Sequence, residues 1–258
     1  MGMTIGNGEL GLSVWGKDNI VNISIGASSL WDHRGGKNWS PQNNYSALRT
    51  AVARRDGMTV RTMFMNDAED SPMACPSHIP LGRLVLTLPM PAEQVMLDVG
   101  SGCIAVTYRG RKAVIAVSQQ DKWYFTLLLP KEVGAELVPA FRLSGTLHEI
   151  GYSEPRKTQD GFFQPLPADS GYQVGMNRKG DELRCRFSRS EAPQDLDFSR
   201  SFETVRRENL AYWRTFWKQI PELDTPNTLI NELYRSGLFH FECMTAADGT
   251  PAGLQGPW

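Results

Sequence analysis

The segment from Trp31 to Trp39 carries the densest set of chemically useful side chains in the sequence: Trp-Asp-His-Arg-Gly-Gly-Lys-Asn-Trp. Sugar sites combine flat aromatic faces, which cover the C–H side of a pyranose, with planar carboxylate, amide or guanidinium groups that bond its hydroxyls. Because the segment supplies both kinds, Trp31, Asp32, Arg34 and Trp39 are candidate sugar-binding residues. The alternative is a surface loop in which Trp31 anchors the core and Asp32 pairs with Arg34 or Lys37.

A second pattern, Gly6-Asn7-Gly8-Glu9-Leu10-Gly11, matches the GxGxxG fingerprint of dinucleotide-binding proteins. A phosphate-binding glycine loop follows a strand and opens a helix, whose N-terminal amides hold the pyrophosphate. Here only five residues precede Gly6, and the residues after it alternate as in a strand. This context argues against nucleotide binding. The glycines instead predict a tight turn that leads into a strand.

The histidines and cysteines show no spacing typical of metal or nucleophile sites. The four histidines form no HExxH or HxH pattern, and the four cysteines form no CxxC pattern. We therefore expect the cysteines to be small core residues, and we expect no metal or cofactor. A glycosidase carboxylate pair cannot be picked out, because its two groups need only meet in space, at roughly 5 to 9.5 Å.

The charge balance and hydropathy exclude several classes of partner. The 258 residues include 27 Lys and Arg against 28 Asp and Glu, a formal charge of −1. This balance gives no electrostatic reason to expect nucleic acid or an anionic membrane as a partner. The longest apolar run, Ala113 to Val117, is far shorter than the roughly 18 residues that a membrane helix needs.

Strand patterns dominate the chain from Leu10 to about Arg189, where apolar residues follow a period of two or occur in short bursts between turn residues. Leu10–Trp15 and Ile20–Ile25 flank a Gly-Lys-Asp-Asn turn and predict a hairpin. Further strands are predicted at Arg83–Leu88, Gln94–Val99, Cys103–Tyr108, Ala113–Ser118, Trp123–Leu129, Ala135–Phe141, Tyr172–Asn177 and Glu182–Phe187. With no helical pattern between them, these strands predict a mainly β fold, a large antiparallel sandwich of two sheets.

The pattern changes after Pro193, where two helices are predicted. Phe202–Ile220 has apolar residues three or four apart, as on one face of a helix. Thr225 as N-cap and Pro226 at the first helical position predict a second helix that runs to about Thr245. Two such broad apolar faces cannot hide against each other alone. They require either the sandwich or polypeptide outside this chain, and we expect the second.

Two separated motifs together resemble one glycosidase family. Residues 5–16, Ile-Gly-Asn-Gly-Glu-Leu-Gly-Leu-Ser-Val-Trp-Gly, are similar to the GNGxLGxxVWG signature that begins the N-terminal β-sandwich of glycoside hydrolase family 95, the bacterial α-L-fucosidases, and of related families. Residues 251–258, Pro-Ala-Gly-Leu-Gln-Gly-Pro-Trp, are similar to the PxNLQGxW segment at the start of that family's (α/α)6 barrel. Two departures are Gly253 in place of Asn, and Ser28–His33 in place of NEDTLWSG.

The resemblance implies a galactose-mutarotase-like β-super-sandwich over residues 1–195, a linker helix within 196–224 and the start of a truncated (α/α)6 catalytic domain over 225–258. It further implies that the chain is the non-catalytic N-terminal portion of a bacterial glycoside hydrolase, periplasmic or secreted. The acid and base carboxylates would then lie beyond residue 258, in the barrel.

The same resemblance implies which residues face the substrate, because loops of the family's sandwich wall one side of the sugar pocket. Asn7 and segment 31–39 would contribute from the sandwich, and Gln255 and Trp258 from the barrel. The expected partners are an oligosaccharide or glycan substrate and the missing barrel domain. Two alternatives remain open: a free-standing carbohydrate-binding module, and a structural domain with no ligand.

Overall fold

The computed structural model describes residues 2–36, 40–64 and 75–249. These residues contain fifteen strands and six helices, joined by turns and loops. The strands are β1 (Met3–Gly6), β2 (Leu10–Lys17), β3 (Ile20–Ala27), β4 (Trp31–Asp32), β5 (Ser77–His78), β6 (Gly82–Thr87), β7 (Gln94–Asp98), β8 (Cys103–Tyr108), β9 (Arg111–Val117), β10 (Tyr124–Leu128), β11 (Gly134–Pro139), β12 (Arg156–Lys157), β13 (Gly161–Gln164), β14 (Tyr172–Lys179) and β15 (Glu182–Arg189). The helices are α1 (Tyr45–Ala53), α2 (Gly57–Phe64), α3 (Ala140–Leu143), α4 (Gly145–Glu149), α5 (Phe202–Gln219) and α6 (Thr228–Met244).

The strands form two large antiparallel sheets. One has five strands in the order β1-β2-β3-β6-β11, and the other has eight in the order β12-β13-β14-β15-β10-β9-β8-β7. A small pair, β4 and β5, stands apart from both. The prediction of a mainly β, antiparallel fold followed by two C-terminal helices is confirmed.

The β2–β3 hairpin shows how the alternating pattern builds the core. Val14 is paired with Ile23, and the turn between the strands is closed by Asp18, which has a φ of 55°. Both paired side chains are almost fully buried, because period-two alternation places them on the face that covers the other sheet. This hairpin was predicted, and each strand predicted from Arg83 onward is present with its ends shifted by no more than two residues.

Four short helices interrupt the region in which the pattern predicted only strands, so that part of the prediction was wrong. Helices α1 and α2 lie between β4 and β5, and α3 and α4 lie between β11 and β12. Side chains cap the first two: Asn44 accepts a hydrogen bond from the Ala47 amide, and Asp56 accepts one from the Thr59 amide. In each of these two helices one residue is buried, Ala51 or Met63, so neither leaves a strong apolar period.

Helix α5 confirms the first predicted helix almost to the residue. Its first turns pack on the outer face of the eight-stranded sheet, where Phe202 and Val205 join Cys103, Ala116 and Tyr124 in a small buried cluster. The Ser201 hydroxyl caps the helix by accepting a hydrogen bond from the Thr204 amide.

Helix α6 begins later than predicted. Asn227, not Thr225, is the N-cap, and its side-chain oxygen accepts a hydrogen bond from the Leu229 amide. Thr225 instead bonds through its hydroxyl to the Asn231 side chain and to the Asn227 carbonyl, so it braces the preceding turn. Pro226 lies before the helix as a result.

The expectation that the aromatic faces of both helices await other polypeptide was wrong for α5. Trp213 of α5 and Phe239 of α6 are both 0% exposed, and they belong to the core cluster of the sandwich. The first half of α6 is different, because Leu229 and Leu233 are 59% and 62% exposed. We use the name α6 stripe for the exposed apolar residues of this helix, which are Leu229, Ile230, Leu233 and Phe241.

Three of the four cysteines are core residues, as predicted. Cys103, Cys185 and Cys243 are buried, and burial raises the pKa of each thiol. Cys75 departs from the prediction because it is exposed, in the loop that leads into β5. None of the helices among the described residues is both long and apolar enough to span a membrane.

Candidate functional site

Several loops and the end of α6 meet at one end of the sandwich, which we call the loop end. It comprises residues 7–9, 28–36, 118–123 and 246–249. Hydrogen bonds join these parts: the Gly8 amide donates to the Cys243 carbonyl at 2.8 Å, and the Ser28 side-chain hydroxyl donates to the Gly8 carbonyl at 2.7 Å. The motif at residues 6–11 therefore links the sandwich to the C-terminus of α6.

Asn7 organises the turn inside that motif. Its side-chain oxygen accepts hydrogen bonds from the amides of Glu9 and Leu10 at 3.2 and 2.8 Å, and its Nδ2 donates to the Ser118 carbonyl at 2.7 Å. The turn joins β1 to the antiparallel strand β2, as the strand-like context predicted. The Asn7 amide group is thus occupied by the turn it stabilises.

Asp32 and Arg34 form an internal ion pair that fixes the segment after β3. Asp32 is 1% exposed, and its Oδ2 lies 2.7 Å from Arg34 Nη2. The Tyr152 hydroxyl donates to the same oxygen at 2.9 Å, and Arg34 Nη1 donates to the Ile150 carbonyl at 2.8 Å. We call this arrangement of Asp32, Arg34 and Tyr152 the bracket. It ties segment 31–36 to the end of α4. The pairing of Asp32 with Arg34 was part of the surface-loop alternative for this segment.

The bracket changes the pKa values of two of its side chains, Asp32 and Tyr152. Burial disfavours the ionised form of Asp32, but the hydrogen bonds from Arg34 and Tyr152 outweigh it and hold the pKa of this carboxyl below its usual value. Burial and then the hydrogen bond to Asp32 raise the pKa of the Tyr152 phenol. Asp32 is therefore an ionised acceptor at neutral pH, and Tyr152 is a neutral donor.

We expect Asp32→Asn to reduce the free energy of unfolding by about 1–3 kcal/mol at pH 7, because it leaves a mostly buried guanidinium without its charge partner. A carboxyl with a lowered folded-state pKa stabilises the fold above its unfolded pKa of about 3.9, and this stabilisation is lost as the pH falls through the folded-state pKa. The difference in the free energy of unfolding between wild type and variant, measured with urea, should therefore be smaller at a pH below about 3.9 than at pH 7.

The matched control is Glu154→Gln, which removes the exposed ion pair between Arg142 and Glu154. It should change the stability by less than about 0.5 kcal/mol at either pH. An Asp32→Asn difference that is the same at both pH values would contradict the role given to the bracket.

Trp31 and His33 are the sequence neighbours of Asp32. Trp31 is half-buried, donates from Nε1 to the Ser28 carbonyl at 2.8 Å and meets the His78 ring edge-on at 5.6 Å. His33 is exposed, with its Nδ1 2.8 Å from an oxygen of Asp169. Trp31 therefore has its polar tip occupied, and the residue as a whole remains partly exposed.

Glu9 is a candidate that the sequence analysis missed. It is 2% exposed, and its Oε1 accepts hydrogen bonds from the Ser29 hydroxyl and from Trp123 Nε1, the latter at 3.3 Å. A cleft of about 240 Å³ lies beside it, and the polar lining residues are Asn7, Glu9, Gln119, Gln120, Lys122 and Asp248. No sequence pattern pointed to this residue, because it lies inside a glycine motif and its partners are 20 and 114 positions away.

A larger groove of about 670 Å³ lies elsewhere, between the edge strand β11 and the β12–β13 hairpin. None of its charged lining residues is buried; these are Glu136, Arg142, Lys157 and Asp160. Because no desolvated charge is available there to orient a ligand, the loop end is the better candidate site.

The structure brings together some of the predicted site residues and leaves others undescribed. Asn7 and Trp31 both belong to the loop end, where Ser28 bonds both to Trp31 and to Gly8, the residue after Asn7. Asp32 and Arg34 pair with each other in the same segment as Trp31. Trp39, Gln255 and Trp258 lie outside the described residues. Across residues 2–36, 40–64 and 75–249, no group of three His, Cys, Asp or Glu side chains could hold a metal ion.

No protein-family model matches the chain, and no curated protein matches it.

Proposed function

We propose that this chain is the non-catalytic N-terminal portion of a bacterial glycoside hydrolase. In this proposal the sandwich supports a helical catalytic barrel and contributes the loop end to one wall of its sugar pocket. The general acid and base carboxylates belong to the barrel, outside residues 1–258, and glycosidic bonds are cleaved between those carboxylates without a metal. The assignment to a glycoside hydrolase rests on the similarity of residues 5–16 to the signature described above.

The observation that carries the proposal is the α6 stripe. Soluble monomeric proteins rarely leave several neighbouring large apolar side chains in water, and such patches mark interfaces. Leu229 and Leu233 lie one turn apart on the same face of the helix, so they form a continuous surface. The stripe has the character of a helix face that packs against further helices, as in a helical barrel.

The position of the loop end supports the second half of the proposal. The C-terminus of α6 is held against residues 7–9, and Lys122 forms an ion pair with Asp248 at 2.9 Å just beyond that helix. A domain that packs on α6 would thus lie next to the cleft beside Glu9 and to segment 28–36.

The stripe can be tested in the intact gene product with Leu233→Glu. If the stripe packs against another domain, the substitution buries an unpaired carboxylate and should lower the stability of the intact protein by about 2–4 kcal/mol. The control is Met58→Glu, at a residue of α2 that is 71% exposed, which should cost less than about 0.5 kcal/mol. Equal, small effects in both variants would contradict a covered stripe.

The activity can be tested by incubating the intact gene product with nitrophenyl α- and β-glycosides of fucose, galactose, glucose, mannose and xylose. We expect release of nitrophenol from at least one of them. Trp31→Ala and Arg34→Ala should each lower kcat/KM, by about three- to tenfold for the aromatic contact. An unchanged kcat/KM in both variants would reject segment 31–36 as part of the pocket. Failure to release nitrophenol from every one of these glycosides would reject the proposal.

The alternative of a free-standing carbohydrate-binding module requires an open aromatic platform. Trp15 is the exposed tryptophan of the five-stranded sheet, at 40% exposure. The guanidinium of Arg83 lies over its ring, 4.8 Å from the centroid, and Trp15 Nε1 donates to the Ser24 hydroxyl. One face of this ring is therefore covered, and the hydrolase proposal is the better supported of the two.

A further inference from the structure

We propose that the cleft beside Glu9 is a binding site for a single hydroxyl-rich ring, with the Glu9 carboxylate as its principal hydrogen-bond acceptor. The sugar class of this ligand rests on the proposed function, whereas the site itself rests on the geometry below.

Glu9 is a buried charge with unused bonding capacity. A carboxylate offers about four acceptor positions on its two oxygens, and an unpaired buried charge is costly unless hydrogen bonds satisfy it. Both protein donors, the Ser29 hydroxyl and Trp123 Nε1, reach Oε1. Among the described residues no hydrogen bond reaches Oε2, and no basic side chain approaches Glu9 within ion-pair distance, although the Lys122 ammonium is near enough to interact with its charge. Donor groups of a ligand in the adjacent cleft could supply what the protein does not.

The other lining groups suit hydroxyls of a small ring. Gln119 uses its Nε2 to bond the Gly6 carbonyl, which leaves its Oε1 as an acceptor, and the Gln120 side chain offers both a donor and an acceptor. Lys122 stands at the rim, paired with Asp248. The volume of about 240 Å³ is below the roughly 300–1,000 Å³ of drug-sized pockets, so the cleft has room for one ring.

The hydrogen bond from Trp123 to Glu9 provides a direct readout. The intact protein would be prepared with isotope-labelled tryptophan, and the Trp123 indole N–H resonance assigned by its loss in Trp123→Phe. It would be titrated with D-glucose, D-galactose, D-mannose and L-fucose at millimolar concentrations. We expect at least one sugar to shift this resonance in a saturable way, because a ligand on Oε2 changes the charge density on the carboxylate that Trp123 donates to.

Two variants and one control make the test specific. Glu9→Gln should weaken binding about tenfold or more, since it replaces a charged acceptor by a neutral one. Gln120→Trp should abolish the shift by filling the cleft, and it alters an exposed side chain, so folding is preserved. The control Gln42→Trp, at another exposed glutamine, should bind as the wild type does.

Absence of any saturable shift in the wild type, or equal sugar affinity in the wild type and Gln120→Trp, would overturn the proposal. Because the readout needs no turnover, its failure is distinguishable from failure of the proposed function. A protein that binds through Glu9 but hydrolyses no glycoside would retain this site and lose the hydrolase proposal. A protein that hydrolyses glycosides but shows no shift of the Trp123 resonance would retain the hydrolase proposal and lose this site.

Discussion

Replacing Trp213 by alanine is expected to lower the free energy of unfolding by about 3–5 kcal/mol, the usual cost of removing a large aromatic from a core. Trp213 is 0% exposed and lies among aromatic rings, with the Phe239 centroid at 4.5 Å and the Phe216 centroid at 5.5 Å. The indole nitrogen has no hydrogen-bond partner among the described residues, so the loss is one of packing. Urea unfolding followed by far-UV circular dichroism measures it.

Trp15→Ala is the matched control, because Trp15 is exposed on the five-stranded sheet. It loses a contact with Arg83 and a hydrogen bond to Ser24, and it should cost about 1 kcal/mol or less. A Trp213→Ala variant no less stable than Trp15→Ala would show that α5 and α6 are not anchored through this aromatic cluster.

Gly8→Ala is expected to have the second largest effect, at about 2–5 kcal/mol. A Cβ on Gly8 would lie 2.3 Å from the Thr245 carbonyl oxygen and 2.4 Å from the Ala246 backbone, and neither can move unless the end of α6 shifts. The residue also has a φ of 85°, where a side chain is strained. The substitution should therefore both destabilise the chain and release the C-terminus of α6, which hydrogen exchange at residues 243–249 would detect.

Gly110→Ala separates the backbone strain at positive φ from the close contact of a new Cβ with the end of α6. Gly110 has a similar φ of 67°, but nothing lies within 4 Å of where its Cβ would be, so only the backbone strain of about 1–2 kcal/mol remains. If the two alanine variants lose the same stability, the close approach of the 6–11 motif to α6 contributes nothing, and the motif is only a turn.

Some of the loop end was predictable from local chemistry. The pairing of Asp32 with Arg34 joins residues two positions apart, so it was foreseen as one alternative for segment 31–39. The third member of the bracket, Tyr152, is 120 positions from Asp32 and could not be foreseen. Helices α1 and α2 were missed because they bury too little surface to leave a period in the sequence.

The sequence by itself determined the mainly β fold, the β2–β3 hairpin and the helix α5, because alternation and helical periodicity are local properties of which face of an element is buried. Only the tertiary structure decided which surfaces meet. It covered Trp213 with the sandwich, left Leu229 and Leu233 in solvent, and buried Glu9 under two donors from distant turns. Those contacts depend on the packing of elements far apart in the chain, and no local pattern encodes a side chain's partner when that partner is many positions away.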